Sequence, residues 1–341
     1  MYLKCLFICC LGVFSLCAER IEVLPQGTCN IDDLDRALKA HEEDLEVREC
    51  VLSSYPGLLK DKSYLGKLLK KLPFNTSIAI GEDVKKVVFM NVPPNPNKHV
   101  NLHKMPKEKM ILFMWEPPLR LGEMYRENIQ NCFSLVYTWD DDLVDNVKYF
   151  KFYYPELRPM LEKTTPFKEK KFCTMVIGHT CDKSEAKEEL YSERKRAITF
   201  FESKGNFEFY GKNWDASLYP SYKGAIENKI EVIKNYRFLI CYENSKGLKG
   251  YITEKIFDSF HAGVIPIYWG ASNIEDYIPL NCFIDRRKFA TYEELYTFLK
   301  GISEEEYENY LGNIRTYLKS EKAQCFSYES FMKIFCEAVR K

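Results

Sequence analysis

The chain has 341 residues, and its 49 Lys and Arg are balanced by 49 Asp and Glu. A formal net charge of zero argues against a nucleic-acid partner, because a surface that follows phosphates normally needs a basic excess. At about 150 residues per domain, the length corresponds to two domains. The hydrophobic fraction of 46% is typical of a globular chain with a sizeable core.

The N-terminus contains an uncharged apolar run, residues 5–18, that follows Lys4. This run is shorter than the roughly 20 residues that span a bilayer, and it fits the apolar region of a secretory signal peptide. A retained signal-anchor, which would tether the protein to a membrane, is the alternative. We therefore predict residues 1–20 as a leader. We expect the protein in the secretory pathway: in the Golgi if the source is eukaryotic, exported or membrane-associated if it is bacterial.

Residues 21–84 form a polar segment with helical periodicity. Apolar residues recur three and four positions apart in residues 31–45 and again in residues 65–72. We predict a helical stem or added helical layer for residues 21–84, and the sequence does not indicate its function.

From residue 85, short apolar runs alternate with helical patterns in two series. The runs are residues 86–92, 110–115 and 133–139, then 172–178, 207–211, 238–243, 264–270 and 281–285. Near-continuous apolar strands are typical of parallel sheets that are covered on both faces. The alternation predicts an α/β fold with two doubly wound, Rossmann-like domains. We place them at residues 85–160 and 161–341, facing a cleft.

The segment FLICYENSKGLKGYITEKIFDSFHAGVIPIYWG, residues 238–270, predicts a strand, a polar loop, a helix capped by Thr253 and a second strand. The loop would lie at the carboxyl edge of a parallel sheet, where ligands bind in such folds. Lys255 falls in the first helical turn, where the helix dipole disfavours a cation. Its position is explained if an anion such as a diphosphate occupies the helix N-terminus; a solvated surface lysine is the alternative.

The order Glu-Asn-Ser, then Tyr-Ile-Thr-Glu-Lys, then a buried strand ending in Trp-Gly resembles the donor-binding signature of glycosyltransferase family 10, the α-1,3/4-fucosyltransferases. The resemblance is dense over residues 234–289, looser from residue 85 to the C-terminus, and absent from residues 21–84. It implies a GT-B fold and the inverting transfer of L-fucose from GDP-fucose to a GlcNAc-type residue of an acceptor glycan, in an α-1,3 linkage. It implies GDP-fucose as the donor substrate and no required cofactor; a divalent metal is not expected to be essential.

The resemblance also implies donor-binding residues. Asn244 and Tyr251 are expected to contact the nucleotide, Glu254 the ribose hydroxyls, and Lys255 the diphosphate. The spacing from Asn244 to Tyr251 is one residue longer than is usual in the family, which would alter the guanine end of the pocket.

An arginine of the family lies upstream of a Tyr-Gly pair and matches Arg194, before Tyr210 and Gly211. Its forked guanidinium suits phosphate oxygens. Arg196, two positions away, is an alternative match for the family arginine. Arg194 could also be an ordinary solvated residue of a charged helix, without a binding role.

The predicted catalytic residue is Glu116, in the N-terminal domain, which directly follows the apolar run MILFMW. The resemblance implies that Glu116 is the general base that takes the acceptor hydroxyl proton. Flanking by Trp115 and Pro117 would partly desolvate this carboxylate and raise its pKa. Pro117 replaces a small polar residue of the family, and a surface glutamate at a strand end is the alternative interpretation.

A competing pattern is the run Asp140–Asp142 after an apolar strand, which matches the metal-binding motif of single-domain GT-A glycosyltransferases. A solvated turn is the simpler interpretation, and the five histidines have no ligand spacing, so we predict no metal site. Two alternative functions stay open: a GT-B transferase that uses another sugar nucleotide, and a non-catalytic glycan-binding protein.

Overall fold

The computed structural model describes residues 12–16, 19–25, 84–92, 102–179 and 186–341. The chain divides into two compact units. The first consists of residues up to Phe152 together with Tyr328–Lys341, and the second is Tyr153–Ser327. The eleven described strands form two sheets, one in each unit.

The first unit contains a six-stranded sheet in chain order, β1 to β6. Strand β1 is antiparallel to β2, and the remaining neighbours are parallel. The strands are β1 Gly12–Leu16, β2 Glu19–Pro25, β3 Val84–Met90, β4 Met110–Met114, β5 Leu135–Thr138 and β6 Tyr149–Lys151. Its described α-helices are α1 Pro118–Leu121, α2 Glu127–Gln130 and α8 Tyr328–Arg340.

The C-terminal helix α8 packs in the first unit because its aromatic side chains meet the apolar strand β4. Phe113 of β4 stacks on Tyr137 with ring centroids 4.6 Å apart, and Phe331 and Phe335 of α8 each lie 5.8 Å from Phe113. The predicted C-terminal domain of residues 161–341 therefore differs from the second unit, Tyr153–Ser327. Helical periodicity does not indicate which sheet a helix covers, so this difference was not visible in the sequence.

The second unit contains a five-stranded parallel sheet with the order β11-β10-β9-β7-β8. Its strands are β7 Lys171–Val176, β8 Phe207–Tyr210, β9 Tyr236–Tyr242, β10 Ile265–Trp269 and β11 Ile284–Asp285. Its described α-helices are α3 Tyr191–Ser203, α4 Lys229–Ile233, α5 Glu254–His261, α6 Tyr292–Gly301 and α7 Glu304–Leu318. This order is that of a doubly wound sheet whose topological switch lies between β7 and β9.

The N-terminal predictions fall mostly outside the described residues. Strand β1 lies within the apolar run 5–18, which is predicted as part of the leader. Strand β2 includes residues 21–25, so the predicted helical segment 21–84 begins with a strand. A short apolar run suits a strand as well as a leader, which explains the ambiguity. The helical patterns at 31–45 and 65–72 lie outside the described residues. Among the helices that are described, none is both long and apolar enough to cross a membrane.

Gly263 ends helix α5 and turns the chain into β10. Its φ of +66° is in the left-handed region, and a Cβ there would lie 2.4 Å from Thr164 Cγ2. We expect Gly263→Ala to lower the free energy of unfolding by about 1–3 kcal/mol in urea denaturation. Gly312→Ala is the matched control, because a Cβ at this position inside α7 meets nothing within 4 Å. The control should raise stability by about 0.5–1 kcal/mol, and equal stabilities of the two variants would contradict this account.

Candidate functional site

The carboxyl ends of β7 and β9 meet at the topological switch of the second sheet, where doubly wound folds bind their ligands. Helix α3 comes next after β7 in the described chain, and α5 after β9. Arg194, near the start of α3, and Lys255, in the first turn of α5, line one pocket at this edge. The structure thus brings together two residues for which the sequence predicted a diphosphate contact.

Arg194 is held in place by neutral partners. Its side chain is 3% exposed, and its Nη2 donates to the Tyr242 carbonyl at 2.7 Å and to Asn244 Oδ1 at 3.1 Å. Its guanidinium lies over the Tyr191 ring, 4.9 Å from the centroid, and its buried Nε has no hydrogen-bond partner. Arg196, by contrast, is 69% exposed and pairs with Glu193. Of the two arginines, Arg194 is therefore the one that is buried and lines the pocket.

Lys255 is surrounded by oxygen atoms. Its Nζ lies 2.9 Å from Glu243 Oε2, 2.9 Å from Thr253 Oγ1 and 3.2 Å from Glu254 Oε1. Burial by itself would lower the pKa of Lys255, but the carboxylates of Glu243 and Glu254 outweigh it and raise the pKa above its usual value. In this structure, the negative charge that balances a lysine at this helix end therefore comes from the carboxylates of Glu243 and Glu254.

Glu243 is the site residue that our sequence analysis missed. It is fully buried directly after β9 and accepts hydrogen bonds from Thr253 N at 3.0 Å and Thr253 Oγ1 at 2.9 Å. Thr253 was predicted to cap α5; it does precede the helix, but its hydroxyl bonds Glu243 and makes no capping bond. A Cβ at Gly270 would lie 2.5 Å from Glu243 Cγ, so the carboxylate is enclosed by backbone on this side. The position of Glu243 at the carboxyl end of a buried strand was the available indication in the sequence.

Asn244 and Tyr251 are joined to Arg194 in one hydrogen-bonded chain. Asn244 Oδ1 accepts from Arg194, and its Nδ2 donates to Tyr251 Oη at 3.3 Å. Tyr251 is 2% exposed. The loop between them passes through Gly247, whose φ of +82° and N–H bond to the Gly270 carbonyl at 3.0 Å accommodate the longer spacing seen in the sequence. These predicted donor residues therefore lie next to the cationic pocket.

Glu254 begins helix α5 with a side chain that is 36% exposed. Burial opposes its ionisation, but the ammonium groups of Lys255 and Lys229 lower the pKa of Glu254 to about 2. It is therefore a carboxylate at neutral pH and can accept hydrogen bonds from hydroxyl groups, as the predicted ribose contact requires.

Glu116 lies in the first unit, directly beyond β4. Its N–H donates to Asn91 Oδ1 at 3.0 Å, and its carbonyl accepts from Tyr125 Oη at 2.9 Å, so the backbone is fixed on both sides. The carboxylate is 21% exposed and lies 3.8 Å from Arg120 Nε. Pro117, the departure from the family pattern, has a φ of −74° and an extended backbone that leads directly into α1. Proline suits the entry to a helix, so Pro117 is compatible with a fixed Glu116.

The run Asp140–Asp142 forms a turn after β5. Asp140 Oδ1 accepts from Asp142 N at 3.0 Å, and Asp141 pairs with Lys151. Burial raises the pKa of Asp140, and the neighbouring charges of Asp142 and Asp141 add to the effect. In the part of the chain that the structure describes, no three His, Cys, Asp or Glu side chains are grouped as metal ligands. These contacts favour the turn over the metal-binding interpretation.

Comparison with known families decides the relationship. Residues 166–341 match the model of the glycosyltransferase family 10 (fucosyltransferase) C-terminal region. The chain belongs to glycosyltransferase family 10. The predicted family is thereby confirmed, and the matched region contains Arg194, Asn244, Tyr251, Glu254 and Lys255.

Individual family 10 members resemble parts of the chain. An α-(1,3)-fucosyltransferase of Helicobacter pylori is 32% identical over 32% of this chain and 23% of its own length. The mouse 4-galactosyl-N-acetylglucosaminide 3-α-L-fucosyltransferase 9 is 29% identical over 58% of this chain and 50% of its own length. The chain thus spans about half or less of the length of these curated relatives.

Among solved structures, a crystal structure of an α1,3-fucosyltransferase superposes with a TM-score of 0.50 at 16% identity, covering 76% of this chain and 78% of that one. The predicted α/β, GT-B type fold with two Rossmann-like units is confirmed by this likeness and by the two sheets described above. The roles of Glu116 and the donor residues stay predictions.

Proposed function

We propose that this family 10 member is an inverting fucosyltransferase that transfers L-fucose from GDP-fucose to a GlcNAc-type residue of an acceptor glycan, in an α-1,3 linkage. The proposal is supported chiefly by one observation: two cations, the buried Arg194 and the partly exposed Lys255, line one pocket at the switch point of the second sheet. A diphosphate is the ligand that such a pair suits best. The names of the Helicobacter pylori and mouse relatives support the sugar and the linkage.

The proposed reaction assigns a step to each group. Glu116 takes the proton of the acceptor hydroxyl, whose oxygen forms a bond to C1 of fucose. The bond between C1 and the β-phosphate oxygen breaks, and GDP leaves with the electron pair. Arg194 and Lys255 stabilise the negative charge that develops on the departing diphosphate. Asn244 and Tyr251 hold the nucleotide, and the carboxylate of Glu254 accepts hydrogen bonds from the ribose hydroxyls.

Location in the secretory pathway, with or without a membrane tether, remains a prediction. Of the apolar run 5–18 on which it depends, the structure describes only residues 12–16. The proposed activity does not depend on it.

The activity is tested by incubating the purified protein with GDP-fucose and a panel of N-acetyllactosamine and chitobiose-type acceptors. We expect GDP release together with a fucosylated product, whose linkage is determined by mass spectrometry and NMR. Failure to release GDP above the level of a Glu116→Gln variant, over the whole panel, would contradict the proposal.

The donor is tested separately by thermal shift with GDP-fucose, GDP-mannose and UDP-sugars, since the true donor should stabilise the protein most. Stronger stabilisation by a UDP-sugar would indicate a family 10 fold that uses another donor. Glycan binding that is indifferent to nucleotide, without any transfer, would indicate a non-catalytic glycan-binding protein.

A further inference from the structure

Lys229 is a third cation at the pocket, and it is not among the residues predicted from the sequence to bind the donor. It begins helix α4 and lines the same pocket as Arg194 and Lys255. Its side chain is 27% exposed, and its Nζ lies 2.7 Å from Asp258 Oδ2. Lys229 therefore combines access to the pocket with a fixed ammonium position.

Asp258 is the residue that holds this ammonium. It lies one turn beyond Glu254 and Lys255 on α5, and its side chain is 10% exposed. Its other carboxylate oxygen, Oδ1, pairs with Arg158 Nη2, a residue 100 positions earlier in the chain. One buried carboxylate is thus shared by two cations, so it neutralises only part of their charge.

Arg194 is the pocket cation that keeps a free donor. Three cations, Arg194, Lys229 and Lys255, line the pocket; Glu243 and Glu254 pair with Lys255, and Asp258 pairs with Lys229. Arg194, whose partners are neutral, keeps a buried Nε–H without an acceptor. A buried guanidinium with an unused donor favours a ligand that brings an acceptor oxygen, as an anion does.

We propose that Lys229 is a third donor-binding cation, held by Asp258 so that its ammonium contacts the diphosphate of the sugar nucleotide together with Arg194 and Lys255. This inference rests on the proposed function and extends its diphosphate site by one residue. Burial alone would lower the pKa of Lys229, but Asp258 and Glu254 raise it above its usual value. The ammonium is therefore protonated throughout the neutral range, as a phosphate contact requires.

The test is calorimetric titration of the full-length protein with GDP and with guanosine. Lys229→Gln removes the charge but keeps a hydrogen-bond donor for Asp258, and Lys229→Met is a second neutral variant of different shape. We expect each to weaken GDP binding by about tenfold, because a hydrogen bond to a charged group contributes on that order. Guanosine binding should not change, since guanosine has no phosphate. Lys229→Arg should restore most of the GDP affinity.

Lys234→Met is the matched control, because Lys234 immediately follows α4, is 28% exposed and pairs with Glu231 at 2.6 Å. It should bind GDP as the wild type does. Equal losses for GDP and guanosine in both neutral variants would indicate a structural role and overturn the inference, as would unchanged GDP affinity.

The inference and the proposed function fail in different ways. Wild-type protein that binds UDP but not GDP would make the proposed donor wrong, and the same variants would then be compared with UDP. A loss specific to the diphosphate would support the role of Lys229 with that nucleotide, and equal affinity would overturn it. Wild-type binding of GDP without any Lys229 effect overturns the inference alone.

Discussion

Replacing Glu116 by Gln is expected to lower the turnover number of fucosyl transfer by about 10²–10⁴-fold, the range that a positioned general base contributes. Gln keeps the size of the side chain but cannot take a proton from the acceptor hydroxyl. The backbone bonds of Glu116 to Asn91 and Tyr125 do not involve the carboxylate, so the local structure should persist. The measurement is steady-state kinetics with saturating GDP-fucose and acceptor, alongside calorimetric titration with GDP.

The affinity for GDP should be unchanged in Glu116→Gln, because the residues predicted to bind the donor all belong to the second unit. Glu123→Gln is the matched control: Glu123 is 34% exposed, follows α1 and pairs with Arg126 at 3.9 Å. This control should retain wild-type turnover. Comparable turnover in both variants would remove Glu116 from the reaction, whatever the fate of the donor site.

The ion pair between Glu243 and Lys255 should be strongly coupled in folding stability. Breaking a buried pair from one side leaves an uncompensated charge and costs about 3–5 kcal/mol. We therefore expect Glu243→Gln and Lys255→Met each to lower the free energy of unfolding by an amount of this order. Lys255→Met leaves the fully buried Glu243 without its cation, so it should be the more damaging of the two.

The double variant, Glu243→Gln with Lys255→Met, is the control that isolates the coupling. It removes both charges, so its loss of stability should be smaller than the sum of the two single losses. Urea denaturation of the wild type and the three variants measures all four corners of the cycle. Simple additivity would show that the two groups do not act as a pair. GDP binding should be lost in both variants that lack Lys255.

The donor-site residues that sequence analysis predicted are mostly neighbours in the chain. Asn244, Tyr251, Glu254 and Lys255 follow a single strand, β9, and therefore share one edge of one sheet whatever surrounds it. Their chemistry and order were enough to suggest a site. The burial of Arg194 and the hydrogen bonds that it donates to Tyr242 and Asn244 were not visible, because they depend on how α3 packs beside the end of β9.

The residues that were missed depend on contacts between distant parts of the chain. In the sequence, Glu243 is a polar residue at the end of a strand. Its burial against Gly270 and its ion pair with Lys255 depend on the tertiary fold. Nothing in the sequence distinguishes Lys229 and Arg158 from other charged residues. In the fold, both pair with Asp258 although they lie in different segments of the chain. The strand–helix alternation was predictable because each buried strand is a short apolar run that can be recognised from the local sequence. The destination of α8 was not, since an amphipathic helix fits either sheet.

The return of α8 to the first unit makes the two units unequal in their connectivity. Tyr153–Ser327 is one uninterrupted stretch of chain, whereas the first unit is built from two separate segments. A simple cut after Phe152 would therefore remove Phe331 and Phe335 from the ring of Phe113.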